Sequence, residues 1–107
     1  MPVTRHGDVE GFERAPGVTL KTMTDGERMM LMEVRIDAGA LVPTHTHPHE
    51  QTGRLISGRM RFQIGDETFE LGPGDAWMIP GEVPHEAEGI EDCLVVEVFS
   101  PPREDYR

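Results

Sequence analysis

Three histidines lie close together in this sequence and a fourth lies far along the chain, a pattern that can bind a metal ion. His45, His47 and His49 alternate with other residues, and His85 follows the turn-forming pair Pro80-Gly81. Residues two apart on a strand point to the same face, so His45 and His47 can present their rings to one point. Three neutral imidazoles with an oxygen donor suit Zn, Ni, Fe or Mn better than Mg or Ca. The spacing therefore predicts a site for one divalent transition metal.

The fourth ligand of this site is open on chemical grounds. Gln51 has the same strand parity as the first two histidines, whereas Glu50 does not. A bulge at Pro48 would reverse that parity and turn Glu50 or His49 inward instead. A neutral glutamine would leave the ion its full double positive charge, whereas a glutamate would halve it. A glutamine site therefore predicts a centre that attracts anionic ligands.

The elements that must position these side chains are short strands separated by turns. The chain contains 12 glycines and 9 prolines, which interrupt it too often for long helices. Residues 60–64 alternate between apolar and polar side chains, and Asp25-Gly26 and Gly65-Asp66 mark turns. About eight such runs indicate an all-β fold, a small antiparallel sandwich or barrel. We expect one domain over residues 1–107, with an N-terminal arm at 1–17, the barrel at 18–100 and a C-terminal tail at 101–107.

Composition and charge exclude several classes of partner. Twenty acidic and 10 basic side chains give a net charge of −10, which disfavours binding to a phosphate backbone. The apolar stretches fall far short of the roughly 18 residues that a membrane-spanning helix needs. The N-terminal residues lack the apolar segment of a signal peptide, and the single cysteine, Cys93, has no partner for an internal disulfide. We expect a cytoplasmic protein with no nucleic-acid and no membrane partner.

Two stretches resemble the paired motifs of the cupin family. Residues 39–58 have the spacing of the first motif: Gly, five residues, HxH, three residues, Glu or Gln, six residues, Gly. Residues 74–85 resemble the second motif, with Pro80 and His85 in register. The resemblance implies an RmlC-like cupin fold, the conserved antiparallel β-barrel or jelly-roll-like sandwich. It also implies that the metal ligands are His45, His47, Gln51 and His85.

Within that family, residues 45–51 and 98–106 resemble the KdgF-type cupins of pectin degradation. Those small metal-binding proteins linearise 4,5-unsaturated monomeric uronates to open-chain keto-deoxyuronates, with the metal acting as a Lewis acid. The resemblance implies that Glu97, Phe99 and Arg103 are the catalytic residues. Glu97 would transfer a proton, Phe99 would form the wall of the site, and Arg103 would clamp the substrate carboxylate. Glu97 departs from that family, which tends to have Asp at this position.

Two other functions fit the same metal site. One is a cupin dioxygenase, which would use Fe(II) and O₂, and the other is a non-catalytic module that binds a small ligand or a metal. Because one fold supports many activities, the fold does not decide among them. In each case we expect a small anionic molecule as the principal partner. The resemblance also implies a homodimer, which an exposed arm and an open sheet edge favour.

Overall fold

The computed structural model describes residues 2–107, and strands dominate it. Ten strands follow one another along this part of the chain, with a single turn of 3-10 helix near each end, at His6–Asp8 and Glu104–Tyr106. The strands are β1 (Phe12–Ala15), β2 (Val18–Asp25), β3 (Met30–Ile36), β4 (Leu41–His45), β5 (Glu50–Ser57), β6 (Met60–Ile64), β7 (Glu67–Leu71), β8 (Ala76–Ile79), β9 (His85–Gly89) and β10 (Cys93–Ser100). No helix within residues 2–107 has the length and apolarity needed to cross a membrane.

The strands form two antiparallel sheets. The larger sheet has six strands in the order β1-β2-β3-β10-β5-β8, and the smaller has four in the order β4-β9-β6-β7. Strands that are distant in the sequence are neighbours here, since β10 pairs with both β3 and β5. The expectation of an all-β antiparallel sandwich of the jelly-roll type is confirmed.

The core lies between the two sheets and follows from the alternation of side chains along each strand. In β3, Met30, Met32, Val34 and Ile36 are buried, whereas the residues between them are half-buried or exposed. The smaller sheet contributes a second buried row that includes Phe62 on β6. Where a strand buries one face only, as β3 does, its register is fixed by its apolar row.

The structure differs from the expected N-terminal arm at residues 12–15. These residues form β1, an edge strand that pairs with β2 through the register Ala15 to Val18. The two residues between them, Pro16 and Gly17, form the turn, and Gly17 has a φ of +77°. Proline followed by a glycine of positive φ is the signature of a type II turn. The arm therefore contributes a strand to the larger sheet.

The C-terminal tail folds back onto the sandwich. Tyr106 is 9% exposed, and its ring lies 6.0 Å from the ring of Phe99 and 5.8 Å from that of Phe12. The hydroxyl of Thr22 donates to the carbonyl of Tyr106 at 2.7 Å. The tail thus packs across one end of the larger sheet, beside the histidines.

Candidate metal centre and active site

Three histidines converge at one end of the sandwich. His45 is the last residue of β4 and His85 the first of β9, and the two are paired in register across the smaller sheet. His47 lies in the loop between β4 and β5. Ligand nitrogens of the three rings all lie within 4.8 Å of one another. The convergence expected from the sequence is therefore present, and the three histidines are positioned to bind a metal ion.

Each of these rings is oriented by a backbone carbonyl. The Nδ1 atom of every ring lies 2.8 to 3.0 Å from the carbonyl oxygen of a residue two positions away. The pairs are His45 with Pro43, His47 with His49, and His85 with Val83. A neutral imidazole that donates through Nδ1 keeps its lone pair on Nε2. The three rings therefore offer three lone pairs to a metal ion. The Nε2 atom of His85 is buried without a hydrogen-bond partner within the described residues.

Gln51 completes the group in a way that fits a cation. Its amide nitrogen donates to the carboxyl of Glu97, which turns its Oε1 toward His47 Nε2 at 3.0 Å. With Nδ1 protonated, His47 Nε2 is an acceptor, so two acceptors face each other. Two ligand atoms that bind one ion at about 2.1 Å, with a right angle between the two bonds, are about 3 Å apart. The Gln51 oxygen and the His47 nitrogen have this separation. The donor set of three imidazoles and an amide oxygen therefore fits a divalent transition metal.

The alternatives for the fourth ligand lie elsewhere. The ring of His49 is 5.5 Å from that of His47, centroid to centroid, and His49 is not part of the three-histidine cluster. Glu50 is exposed at the start of β5. Of the three residues open on sequence grounds, Gln51 is the one with a side-chain oxygen 3.0 Å from a ring nitrogen of the cluster.

Burial lowers the pKa of all three clustered histidines. Desolvation is the largest cause at each ring, and neighbouring cations add to it: Arg103 lowers the pKa of His47, and Arg14 and Arg103 lower that of His45. A ring with a lowered pKa is neutral at neutral pH. Because only the neutral ring binds a metal, the environment keeps the ligands available.

Glu97 is the carboxyl group of the site. It lies on β10, opposite Met32 on one side and Gly53 on the other. Burial raises the pKa of Glu97 to about 7, although the charge of Arg103 opposes the shift. A carboxyl with a pKa near neutrality can both accept and release a proton at physiological pH.

The indole of Trp77 forms the wall beside this carboxyl. Trp77 on β8 is paired with Gly53 on β5, and a methyl group on Gly53 would lie 2.6 Å from the indole Cζ2 atom. The indole therefore occupies the space that a side chain at residue 53 would fill. The Trp77 N–H faces Glu97 and opposes the rise in the Glu97 pKa.

Arg103, a residue of the C-terminal tail, lies over the ring of Phe99. Arg103 is 7% exposed, and its guanidinium carbon is 4.1 Å from the ring centroid of Tyr106 and 5.2 Å from that of Phe99. Its Nε and Nη2 atoms donate to the two carboxylate oxygens of Asp105 at 3.2 and 2.8 Å. The two-pronged contact expected with a substrate carboxylate is thus made within the chain. Phe99 is 4% exposed and packs edge-on against His47, 5.6 Å between ring centroids.

A cavity of about 50 Å³ lies next to the histidines, between the two sheets. It is lined by six of the residues expected from the sequence, and also by Arg14, Trp77 and Tyr106, which sequence reasoning missed. The six are His45, Gln51, His85, Glu97, Phe99 and Arg103. The Pro16-Gly17 turn is the sequence feature that could have predicted β1, because such a turn joins two paired strands. A strand at this position would have put Arg14 in the sheet.

Comparison with known proteins agrees with this geometry. The cupin domain model matches residues 32–99. The structure of KdgF from Halomonas sp. superposes with a TM-score of 0.92 at 30% identity, covering 98% of this chain and 97% of that one. An RmlC-like cupin from Shewanella frigidimarina NCIMB 400 superposes with a TM-score of 0.95 at 22% identity, covering 100% and 96%, and shows the fold.

Among the curated relatives, oxalate decarboxylase OxdC of Bacillus subtilis is 28% identical over 92 residues. That match covers 81% of this chain but 24% of the decarboxylase, so this chain spans about a quarter of that relative's length. Its similarity reflects a shared cupin unit. With the family model over more than half of the chain and the full-length match to KdgF, the protein belongs to the cupin family, as a small single-domain cupin that resembles KdgF.

Proposed function

We propose that this protein is a metal-dependent enzyme that linearises a 4,5-unsaturated monomeric uronate. The observation that carries the proposal is the hydrogen bond from Gln51 to Glu97, which joins the histidine cluster to a half-buried carboxyl. Its pKa near 7 makes this carboxyl a group that can transfer a proton, which metal storage alone does not require. The full-length similarity to KdgF supports the same reaction.

The reaction is an isomerisation that moves one proton. The bond between C1 and the ring oxygen breaks, the ring oxygen becomes the ketone oxygen on C5, and the proton of the C1 hydroxyl ends on C4. Glu97 would exchange that proton, and a pKa near 7 would let it act in both directions. A divalent ion bound by His45, His47, His85 and Gln51 would supply Lewis acidity toward the ring oxygen or carboxylate.

The remaining residues would hold the sugar and exclude water. Phe99 and Trp77 supply apolar walls on either side of Glu97 along the larger sheet. Arg103 contributes positive charge close to Glu97, since its charge opposes the rise in the Glu97 pKa. An anionic sugar is the appropriate partner because the ligand set is neutral and leaves the charge of the metal uncompensated.

The test is a ring-opening assay on 4,5-unsaturated galacturonate, followed by loss of the absorbance of the conjugated double bond. We expect turnover by the metal-loaded protein, none after chelation and none by His47→Ala. His6→Ala is the matched control, because His6 is an exposed histidine whose ring contacts Glu33 and lies outside the cluster.

Absence of turnover by the metal-loaded protein would refute the proposed reaction. Oxygen consumption that depends on added Fe(II) would then identify a dioxygenase. Thermal stabilisation by a small anion without chemical change would instead identify a binding module.

A further inference from the structure

Arg14 is a second arginine at the cavity, on the edge strand β1. The register of β1 against β2 shifts between Glu13 and Ala15, so Arg14 is the extra residue of a β-bulge. A bulge changes the direction in which a side chain points, and bulges are common beside active sites. Arg14 is half-buried and lines the cavity together with His45 and His85.

The charge of Arg14 has no partner of its own. Arg103, the other cavity arginine, has its charge balanced by Asp105. The cavity acid Glu86 accepts a hydrogen bond from Thr44. Within residues 2–107, by contrast, Arg14 makes no ion pair. A half-buried cation without a carboxylate is costly, and a bound anion removes that cost.

A hydrogen bond orients Arg14 while leaving most of its donors free. Its Nε atom donates to the hydroxyl of Tyr106 at 3.2 Å. The two Nη groups are thereby left for a second, two-pronged contact at the end of the guanidinium.

We propose that Arg14 binds the carboxylate of the anionic substrate at the mouth of the cavity and that Tyr106 is its positioning residue. The planar guanidinium matches a carboxylate in a way that a lysine does not. The identity of the sugar rests on the proposed function, whereas the binding of a carboxylate does not. Arg103, paired with Asp105, contributes positive charge beside Glu97.

The experiment measures binding of D-galacturonate, a stable sugar carboxylate, to the metal-loaded protein by calorimetry. Loss of a charged hydrogen-bonded pair should weaken binding by about tenfold or more in Arg14→Gln. Arg14→Lys should recover part of the affinity, because it restores the charge without the planar fork. The control is Arg35→Gln, a change to an exposed arginine on the outer face of β3, which should have no effect.

If Arg14 had only a structural role, Arg14→Gln would also change the affinities for a neutral sugar and for the metal. Under the proposal, D-galactose, which lacks the carboxylate, binds the wild type and Arg14→Gln equally, and metal affinity is unchanged. Tyr106→Phe keeps the ring that packs on Arg103 but removes the hydroxyl, and we expect it to raise KM for the uronate more than it lowers kcat.

Two results would overturn the proposal: no binding of D-galacturonate to the wild type, or equal affinity in Arg14→Gln and Arg35→Gln. The outcomes also separate it from the proposed reaction. Galacturonate binding that depends on Arg14, without ring opening of the unsaturated uronate, keeps the carboxylate site and removes the reaction. Ring opening that Arg14→Gln leaves unaffected keeps the reaction and removes the carboxylate site.

Discussion

The amide nitrogen of Gln51 donates a hydrogen bond to the carboxyl of Glu97, and this contact fixes which end of the amide faces the histidines. The carbonyl oxygen of Gln51 is left pointing at His47 Nε2. Glu97 therefore acts on the metal site indirectly, by orienting a neutral oxygen ligand. The carboxyl and the ligand set form one unit, in which a change at either residue alters the other.

Replacing Gln51 with glutamate should separate metal binding from anion binding. Gln51→Glu keeps an oxygen ligand but adds a negative charge and loses the amide donor to Glu97. We expect the metal to be retained and the affinity for D-galacturonate to fall, because the charge of the centre is halved. Calorimetric titrations of the metal and of the sugar measure the two affinities. An equal loss of both would contradict the role of Gln51 as a neutral ligand.

The raised pKa of Glu97 predicts a pH-dependent stability of the chelated protein. Burial raises this pKa from 4.5 to about 7, so the folded chain holds the proton more tightly than the unfolded chain. The stability contributed by the protonated carboxyl is complete below pH 4.5 and is lost as the pH rises to about 7.

Glu97→Gln removes this titration and retains an acceptor for the Gln51 amide. The Tm of the variant minus that of the wild type should therefore increase between pH 4.5 and 7 and stay level above pH 7. The histidine titrations are common to both proteins and cancel in the difference. A difference that does not change with pH would show that Glu97 has an ordinary pKa.

Burial of the histidines predicts that metal binding survives mild acidification. Desolvation lowers the pKa of His45, His47 and His85 from 6.5, so protons compete with the metal only below that pH. Competition with a chromophoric chelator between pH 8 and 5 should give an affinity that, after correction for the chelator, is level at first and falls only below the ordinary imidazole value of 6.5. A decline that begins near pH 7 would contradict the effect of burial.

Much of this site follows from the sequence because its ligands are set by local spacing. The motif between residues 39 and 58 predicts the histidine pair, and the Gly65-Asp66 turn joins two strands as predicted, with Ile64 paired to Glu67. The reason given for the convergence was only partly right. β4 ends at His45, so His47 reaches the cluster from a loop and not from the same strand face.

Other features depend on contacts that no local pattern records. Asp25-Gly26 predicts a two-residue turn, yet Asp25 pairs with Met30, so the loop has four residues. Arg14 lines the cavity because of a bulge in the pairing of β1 with β2. Arg103 forms an ion pair with Asp105 within the folded tail. The homodimer and the cytoplasmic location remain predictions.

The close approach of Trp77 to Gly53 gives a sharp test of the wall beside Glu97. Gly53→Ala would place a methyl group 2.6 Å from Cζ2 and 2.8 Å from Nε1 of the indole. Overpacking of this kind costs about 1–3 kcal/mol, or a Tm lower by several degrees. Trp77→Phe removes both of those indole atoms, so in that background Gly53→Ala should cost much less.

The control for this cycle is Gly7→Ala, since a methyl group at Gly7 meets nothing within 4 Å. Thermal unfolding of the single and double variants gives the coupling free energy between residues 53 and 77. Additive effects would mean that the indole does not occupy the space above Gly53. Strong coupling, with loss of turnover in Gly53→Ala and no loss of metal affinity, would mean that the position of the indole controls the carboxyl beside it.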